Sequence, residues 1–225
     1  MGRDEEMDDD SDLDSEDFAE QETAVDENPF DVEAHTQLIS AYKRNGELDR
    51  LRGARAAASK FVALPEEEWL AWISDETAVF SDTPEGRKQY QELHQQAVTL
   101  CPRASLWIKR AEAAKKLGED VKAQRAIFES GLSVFGLIPT DEAAGLWKAY
   151  REFEGSDGDK VRALFHRQLS VPSPKLEDLI GEYTSWEKDQ SQIVEAKRRM
   201  AEAEKIQQKV EKTITRNPYE GDTIL

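Results

Sequence analysis

The chain of 225 residues carries 47 acidic and 30 basic side chains, a net charge of −17, and is 38% apolar and 34% charged. That composition suits a charge-rich helical protein better than a thick-cored enzyme. No uncharged run exceeds the 11 residues from Ser130 to Thr140, too short for a membrane helix of about 20, and the single cysteine, Cys101, excludes an internal disulfide and a cysteine-cluster zinc site.

The first segment, residues 1–27, holds 14 acids and one base, Arg3, with few apolar side chains among them. So little apolar surface does not offset the entropy of ordering a self-repelling run, so an acidic disordered arm is expected here. Its opening on Asp and Glu also lacks the basic and apolar pattern of a secretory signal. Ser11 and Ser15, both flanked by acids, are candidates for an acid-directed kinase.

From Asn28 onward apolar and aromatic residues return at three- and four-residue intervals, broken by Gly and Pro, which predicts helices throughout. The text also repeats itself. Trp69, Trp72 and Glu76 match Trp147, Tyr150 and Glu154 in spacing, and Ile180, Tyr183, Trp186 and Glu187 match Trp147, Tyr150, Phe153 and Glu154. Trp107 opens another copy, and His35 with Leu38 a degenerate one. The anchors at 35, 69, 107, 147 and 180 step by 34, 38, 40 and 33 residues.

Gly46, Gly118 and Gly158 each fall 11 residues after an anchor, where a left-handed glycine would stop a helix. Lys43, Arg44, Lys115 and Lys116 precede two of them, opposing the negative helix end. A second amphipathic helix follows each break, and most of these end near Pro65, Pro102, Pro139 or Pro172. The unit is thus a helix hairpin, present five times, at about 28–64, 65–101, 102–138, 139–171 and 172–217, with 218–225 as a lead-in or tail. One hairpin does not bury its apolar face alone, so neighbours stack into an α-solenoid. Trp69, Trp72, Trp107, Phe128, Trp147, Tyr150, Phe153, Phe165, Tyr183 and Trp186 are the candidate fillers of the seams between repeats.

A period in the thirties fits the tetratricopeptide class, and Asn28-Pro29 is a typical opening for it. The Trp-x-x-Tyr-x-x-Phe-Glu pattern at 147–154 more particularly resembles the half-a-tetratricopeptide, or HAT, repeat of RNA-processing scaffolds. The segments Leu64 to Glu76, Leu146 to Glu154 and Leu164 to Pro172 resemble the N-terminal repeats of the spliceosomal small nuclear RNP recycling factors, the squamous-cell-carcinoma antigen type. The likeness spans roughly residues 30 to 220. It implies an all-α protein-interaction scaffold of the nucleus that docks protein partners of the small nuclear RNPs. RNA contact in that family comes mainly from RNA-recognition domains, and no such motif occurs in this chain, so RNA is expected to be reached only indirectly. The sister reading is an oligomerisation module of a 3′-end-processing or ribosome-assembly HAT protein. The lead-in Asn217-Pro218-Tyr219-Glu220, followed by no polar capping helix, reads as part of a longer array.

No catalytic constellation accompanies this pattern, and no cofactor, metal or enzyme activity is expected. His35, His94 and His166 lie in three different repeats with no paired ligand spacing. Cys101 precedes Pro102 at a helix end, and Glu66-Glu67-Glu68 suits the first turn of a helix by its charge alone. The glycines form no phosphate loop. Two surfaces are candidates for binding. Ile193, Ala196, Met200, Ala203, Ile206, Val210 and Ile214 form one stripe on the last helix, a seam for the next repeat or for a second copy as a homodimer. Lys109, Arg110, Lys115, Lys116, Lys122 and Arg125 are interleaved with Glu112, Glu119, Asp120 and Glu129, which reads as a solvated face more than an RNA site.

Overall fold

The computed structural model describes residues 11–137, 140–155, 157–173 and 175–215, without the side chains of 11–17, 210, 211 and 213–215. The fold is all-α, in the α-solenoid class of antiparallel helix hairpins, and no strand occurs among the described residues. It divides into two compact units, Met1–Cys101 and Pro102–Leu225.

The first unit contains α1 (Ser11–Glu27), α2 (Val32–Arg44), α3 (Leu48–Phe61), α4 (Glu66–Ala78) and α5 (Pro84–Leu100). Asp31 caps α2 by accepting from the N–H groups of Glu33 and Ala34, and Thr83 caps α5 ahead of Pro84, whose missing N–H costs nothing at a first turn. Helix α1 is where the structure departs from the expected disordered arm. Phe18 is buried, its ring lies 4.9 Å from that of Tyr42 in α2, and Tyr42 donates a hydrogen bond to Glu22. One well-placed aromatic side chain contributes about 1.5–3 kcal/mol on burial, which the count of acids in this segment conceals. Residues 1–10, and the side chains of Ser11 and Ser15, lie outside the described residues.

The second unit contains α6 (Ala104–Lys116), α7 (Val121–Phe135), α8 (Asp141–Phe153), α9 (Gly158–Leu169), α10 (Leu176–Trp186) and α11 (Gln190–Thr215). Asp120, Thr140 and Asp157 cap α7, α8 and α9. The start of α6 has no cap of its own from Arg103. Glu142, reaching from α8, accepts the Ala104 N–H at 2.8 Å and so ties one repeat to the next through an orphan helix-end donor. Leu106 and Leu146 are fully buried at the centre of this unit. A second cluster joins Phe165, Leu169, Leu176, Tyr183 and Ala196 where α9, α10 and α11 meet.

Gly46 and Gly118 both stand at φ +70°, and in each case the N–H three residues past the helix folds back: Glu47 to the Tyr42 carbonyl and Glu119 to that of Ala114, both at 3.0 Å. Gly158 does not belong with them. It is the first residue of α9, because the Asp157 side chain caps the Lys160 N–H at 3.2 Å and starts a helix there. Helix α8 has already ended at Glu154. Pro139 and the tail 218–225 lie outside the described residues.

Candidate functional site

The seams between successive helix pairs are the most built feature of both units. In the second unit Phe128 of α7 stacks on Tyr150 of α8, with centroids 4.8 Å apart and planes within 4°, and Phe153 closes on the same ring at 5.3 Å. One repeat later Phe165 of α9 meets Tyr183 of α10 at 5.2 Å and Trp186 at 5.8 Å. An aromatic on a second helix thus meets the Tyr-x-x-aromatic of the following first helix. Offset stacking of this kind adds about 0.5–1.5 kcal/mol to the burial itself. In the first unit Trp69 and Trp72 stack at 5.4 Å within α4, both buried. Trp107, Trp147 and Tyr150 are buried as well, whereas Phe153 is half-buried and Trp186 is 40% exposed. Trp186 lies at the open edge of its seam, with the Arg162 guanidinium 5.9 Å from its ring.

A second layer of three seams is ionic, with an arginine Nε–H donating to a glutamate in each. Arg52 of α3 grips Glu76 of α4 at 2.6 and 3.1 Å. Arg125 of α7 grips Glu154 at the end of α8 through both oxygens, the outer contact at 2.9 Å. Arg162 of α9 holds Glu187 at the end of α10 at 2.5 Å. Glu154 and Glu187 are buried, so Glu154 has exchanged water for a guanidinium fork and Glu187 for the Arg162 Nε–H and two backbone N–H groups. The Arg162 hydrogen bond, helped by the Asp189 and Lys188 N–H groups, pulls the Glu187 carboxyl down to about 2. Beside it burial and Glu187 push the Tyr183 hydroxyl up to about 12.

The sequence places the three acids at matching positions but offers no partner for them on its own. A signal is nonetheless present: Arg52, Arg125 and Arg162 each stand three residues before Arg55, Phe128 and Phe165. Ala114 occupies the corresponding acid position in the repeat that Trp107 opens.

Further pairs brace the second unit. Arg167 forks onto Glu129 at 2.7 and 2.9 Å while its guanidinium covers the Trp147 ring at 5.2 Å. Tyr150 donates to the same carboxylate at 3.1 Å, and burial with Glu129 raises the Tyr150 hydroxyl to about 12. The Arg167 hydrogen bond in turn lowers the Glu129 carboxyl. Arg125 therefore leaves the candidate basic surface for a seam, Lys109 pairs with Glu112 at 2.8 Å, and Arg110 lies over the Trp107 ring at 5.5 Å.

The stripe on α11 is divided. Ile193, Ala196 and Ala203 are buried against α9 and α10, with Met200 packed beside them, so these residues present no free seam. The reason is local: α11 closes the hairpin with α10 and also lies on α9. Ile206 is 51% exposed, and the side chains of Val210 and Ile214 lie outside the described residues.

The histidines lie on α2, α5 and α9. His35 and His94 are buried, the first meeting the Pro29 carbonyl at 2.9 Å, the second against the Tyr90 ring at 4.6 Å. His166 meets the Tyr183 hydroxyl at 3.0 Å, and burial followed by the Arg199 charge lowers its pKa. Cys101 is a free thiol at the end of α5. Among the described residues no cluster of three His, Cys, Asp or Glu side chains could hold a metal, and no helix is long and apolar enough to cross a membrane. Glu68 is more than a first-turn charge: with Asp75 it pairs with Arg55, whose side chain is 1% exposed, at 2.6 and 2.8 Å.

Several relatives share this sequence. The "Spliceosome associated factor 3, U4/U6 recycling protein" of Mus musculus is 34% identical over 172 residues, which cover 72% of this chain and 18% of that protein. The Homo sapiens protein of the same name is 34% identical, with 72% and 17% covered, and that of Danio rerio is 29% identical, with 72% and 20% covered. The matched region is thus about a fifth of the length of these relatives. Among solved structures, a thermophilic TPR protein of Thermus thermophilus aligns with a TM-score of 0.39 at 21% identity, covering 75% of this chain and 87% of that one. BtubC of P. vanneervenii aligns with 0.44 at 13% identity, covering 95% of each chain. Residues 19–188 match the PRP39 N-terminal HAT repeat, and the chain belongs to that family of HAT-repeat proteins.

Proposed function

We propose that this chain is a non-enzymatic docking scaffold of nuclear RNA processing, which presents a preorganised helical surface to protein partners of the small nuclear RNP or splicing machinery. The repeats are taken as 28–64, 65–101, 102–138, 139–171 and 172–217, and the pairs α2–α3, α4–α5, α6–α7, α8–α9 and α10–α11 lie within those bounds. The observation that carries the reading is the repeated seam of aromatic stack and Arg–Glu fork. It spends the chain's aromatic and charged side chains on holding helices in place, the requirement of a scaffold whose partners bind without an ordering cost. The similarity to proteins named for U4/U6 recycling supports splicing as the setting. RNA is reached through other domains.

The test is a pull-down from nuclease-treated nuclear extract with the full 225-residue chain as bait, read by mass spectrometry. Recovery of small nuclear RNP proteins in spite of the nuclease is the expected result. Recovery of cleavage or ribosome-assembly factors in their place would move the function to the sister reading.

A further inference from the structure

Helices α8 and α10, the first helices of two successive pairs, flank two cavities of about 280 and 410 Å³ that share three wall residues, Lys148, Arg151 and Glu182. The smaller has Trp147, Leu176 and Leu179 in its lining, and the larger has Val161, Phe165 and Trp186. Two apolar sockets therefore meet at one polar junction. Arg151 lies beneath that junction, 6% exposed, with its guanidinium 4.2 Å from the Phe165 ring and Nη2 3.3 Å from both Glu182 oxygens. Its second hydrogen bond goes to Gln168. Lys148 is exposed and has no ionic partner among the described residues. The third base of the walls, Lys175, is paired with Asp141.

The charges are ordered. Lys148 and the half-exposed Glu182, whose charge Arg151 offsets, belong to both cavities, Asp178 only to the smaller and Glu152 only to the larger, so the Lys148 ammonium stands between two carboxylates along the groove. Gly145 of α8 opens the smaller cavity: a Cβ built on it meets nothing within 4 Å. Glycine inside a helix is destabilising relative to alanine, and no close contact at the Gly145 Cβ position accounts for it.

We propose that this groove docks a short linear peptide of a partner protein in which one Asp or Glu lies between two apolar residues, with bases outside them. The central carboxylate meets Lys148 over Arg151, the apolar side chains fill the two sockets, and the flanking bases meet Asp178 and Glu152. A continuous acidic run or a nucleic-acid strand fits poorly, because its further negative charges fall on those two carboxylates. The proposal rests on the reading of the chain as a protein-docking scaffold and names the kind of segment that one of its surfaces selects.

The experiment uses the full chain, fluorescently labelled, on an array of peptides about eight residues long. One set has the base–apolar–acid–apolar–base pattern, a second reverses every charge, a third is uniformly acidic, and a single-stranded RNA of about 12 nucleotides is spotted alongside. Binding confined to the first set is expected, with Lys148→Glu weakening it at least about tenfold and Lys60→Glu, on the exposed side of α3, leaving it unchanged. Gly145→Leu should abolish binding while the chain keeps its thermal stability, since a Cβ at this exposed position of the groove wall meets nothing within 4 Å. Equal binding to all sets, binding to RNA alone, no binding, or indifference to both groove variants would each overturn the proposal. If the Gly145→Leu chain still retrieves the same proteins from nuclease-treated extract, the groove fails as the docking site while the scaffold reading stands.

Discussion

The two units solve one packing problem with different chemistry at one position. In the second unit the residue three past the clamp arginine is an aromatic, Phe128 or Phe165, and its ring packs against the tyrosine of the next helix, stacked in the first case and tilted in the second. In the first unit that position is Arg55, just as buried, and it bonds Glu68 and Asp75 where a ring would stack. Charge follows the same division: residues 1–101 carry 26 acids and 9 bases, whereas residues 102–225 carry 21 of each. A strongly acidic unit thus places a cation in its seam, and a neutral unit places a ring there. Helical spacing is common to both, and the energy that fixes the seam is not.

Truncating the ring is the most severe way to test this. Phe128→Ala removes a side chain that contacts Tyr150 and Phe153 from a site walled by helices, and should cost about 3–5 kcal/mol in urea denaturation. A loss below about 1 kcal/mol would mean that the aromatic column does not hold the seam. The matching change in the first unit separates the two chemistries. Arg55→Ala leaves Glu68 and Asp75 without their cation and should cost about 3 kcal/mol, near the lower end for a broken buried pair because both acids retain access to water. Arg55→Leu restores apolar volume and should lie closer to the wild type than Arg55→Ala does. If the Leu and Ala variants were equally unstable, the cation itself would be what this seam requires.

The glycine stops sharpen the comparison from the other side, because here the units are alike. Gly46→Ala and Gly118→Ala place a Cβ in the left-handed region, where an L residue costs about 1–2 kcal/mol, and neither new methyl meets a neighbour. The two losses should therefore be equal in thermal denaturation. Gly158→Ala should be neutral or slightly stabilising, since that glycine opens a helix and its Cβ meets open space.

What the sequence displays follows from the same physics. Trp69, Trp147, Tyr150 and Tyr183 stand out because large rings recurring at a period in the thirties have little use except at a repeated seam. Gly46 and Gly118 stand out because bases precede them at the spacing where a helix should end. The acids Glu76, Glu154 and Glu187 show by their spacing, but arginines on second helices look like solvated charges until the fold brings them across the seam. Gly158 misleads because Asp157 beside it is a helix start, a signal that outweighs the count of residues from the anchor. Helix α1 is hidden by its acids: Phe18 is one ring in a repelling run, and only the Tyr42 face of α2 shows that it has somewhere to go.

The smallest expected effect concerns the clamp itself. Glu187 titrates at about 2 while folded and at about 4.3 in an unfolded chain, so its contribution to stability is complete above the unfolded value and is lost as pH falls through the folded one. Arg162→Gln removes the first cause of that depression but leaves the Lys188 and Asp189 N–H groups in place. The Glu187 carboxyl, followed by carbon-detected NMR, should then titrate between about 2 and about 4.3, and stability at about pH 7 should fall in step with that rise. Arg162→Lys restores the charge without the directed Nε–H and should recover only part of the shift, since an ammonium does not reproduce the planar donors that reach Glu187 and Asp159 together. A carboxyl that stayed at about 2 in both variants would assign its acidity to the backbone donors at the end of α10. The clamp would then be a consequence of how that helix ends. Arg52 with Glu76, a carboxylate held inside α4 away from the helix-end donors that Glu187 meets, would be the more telling pair to break.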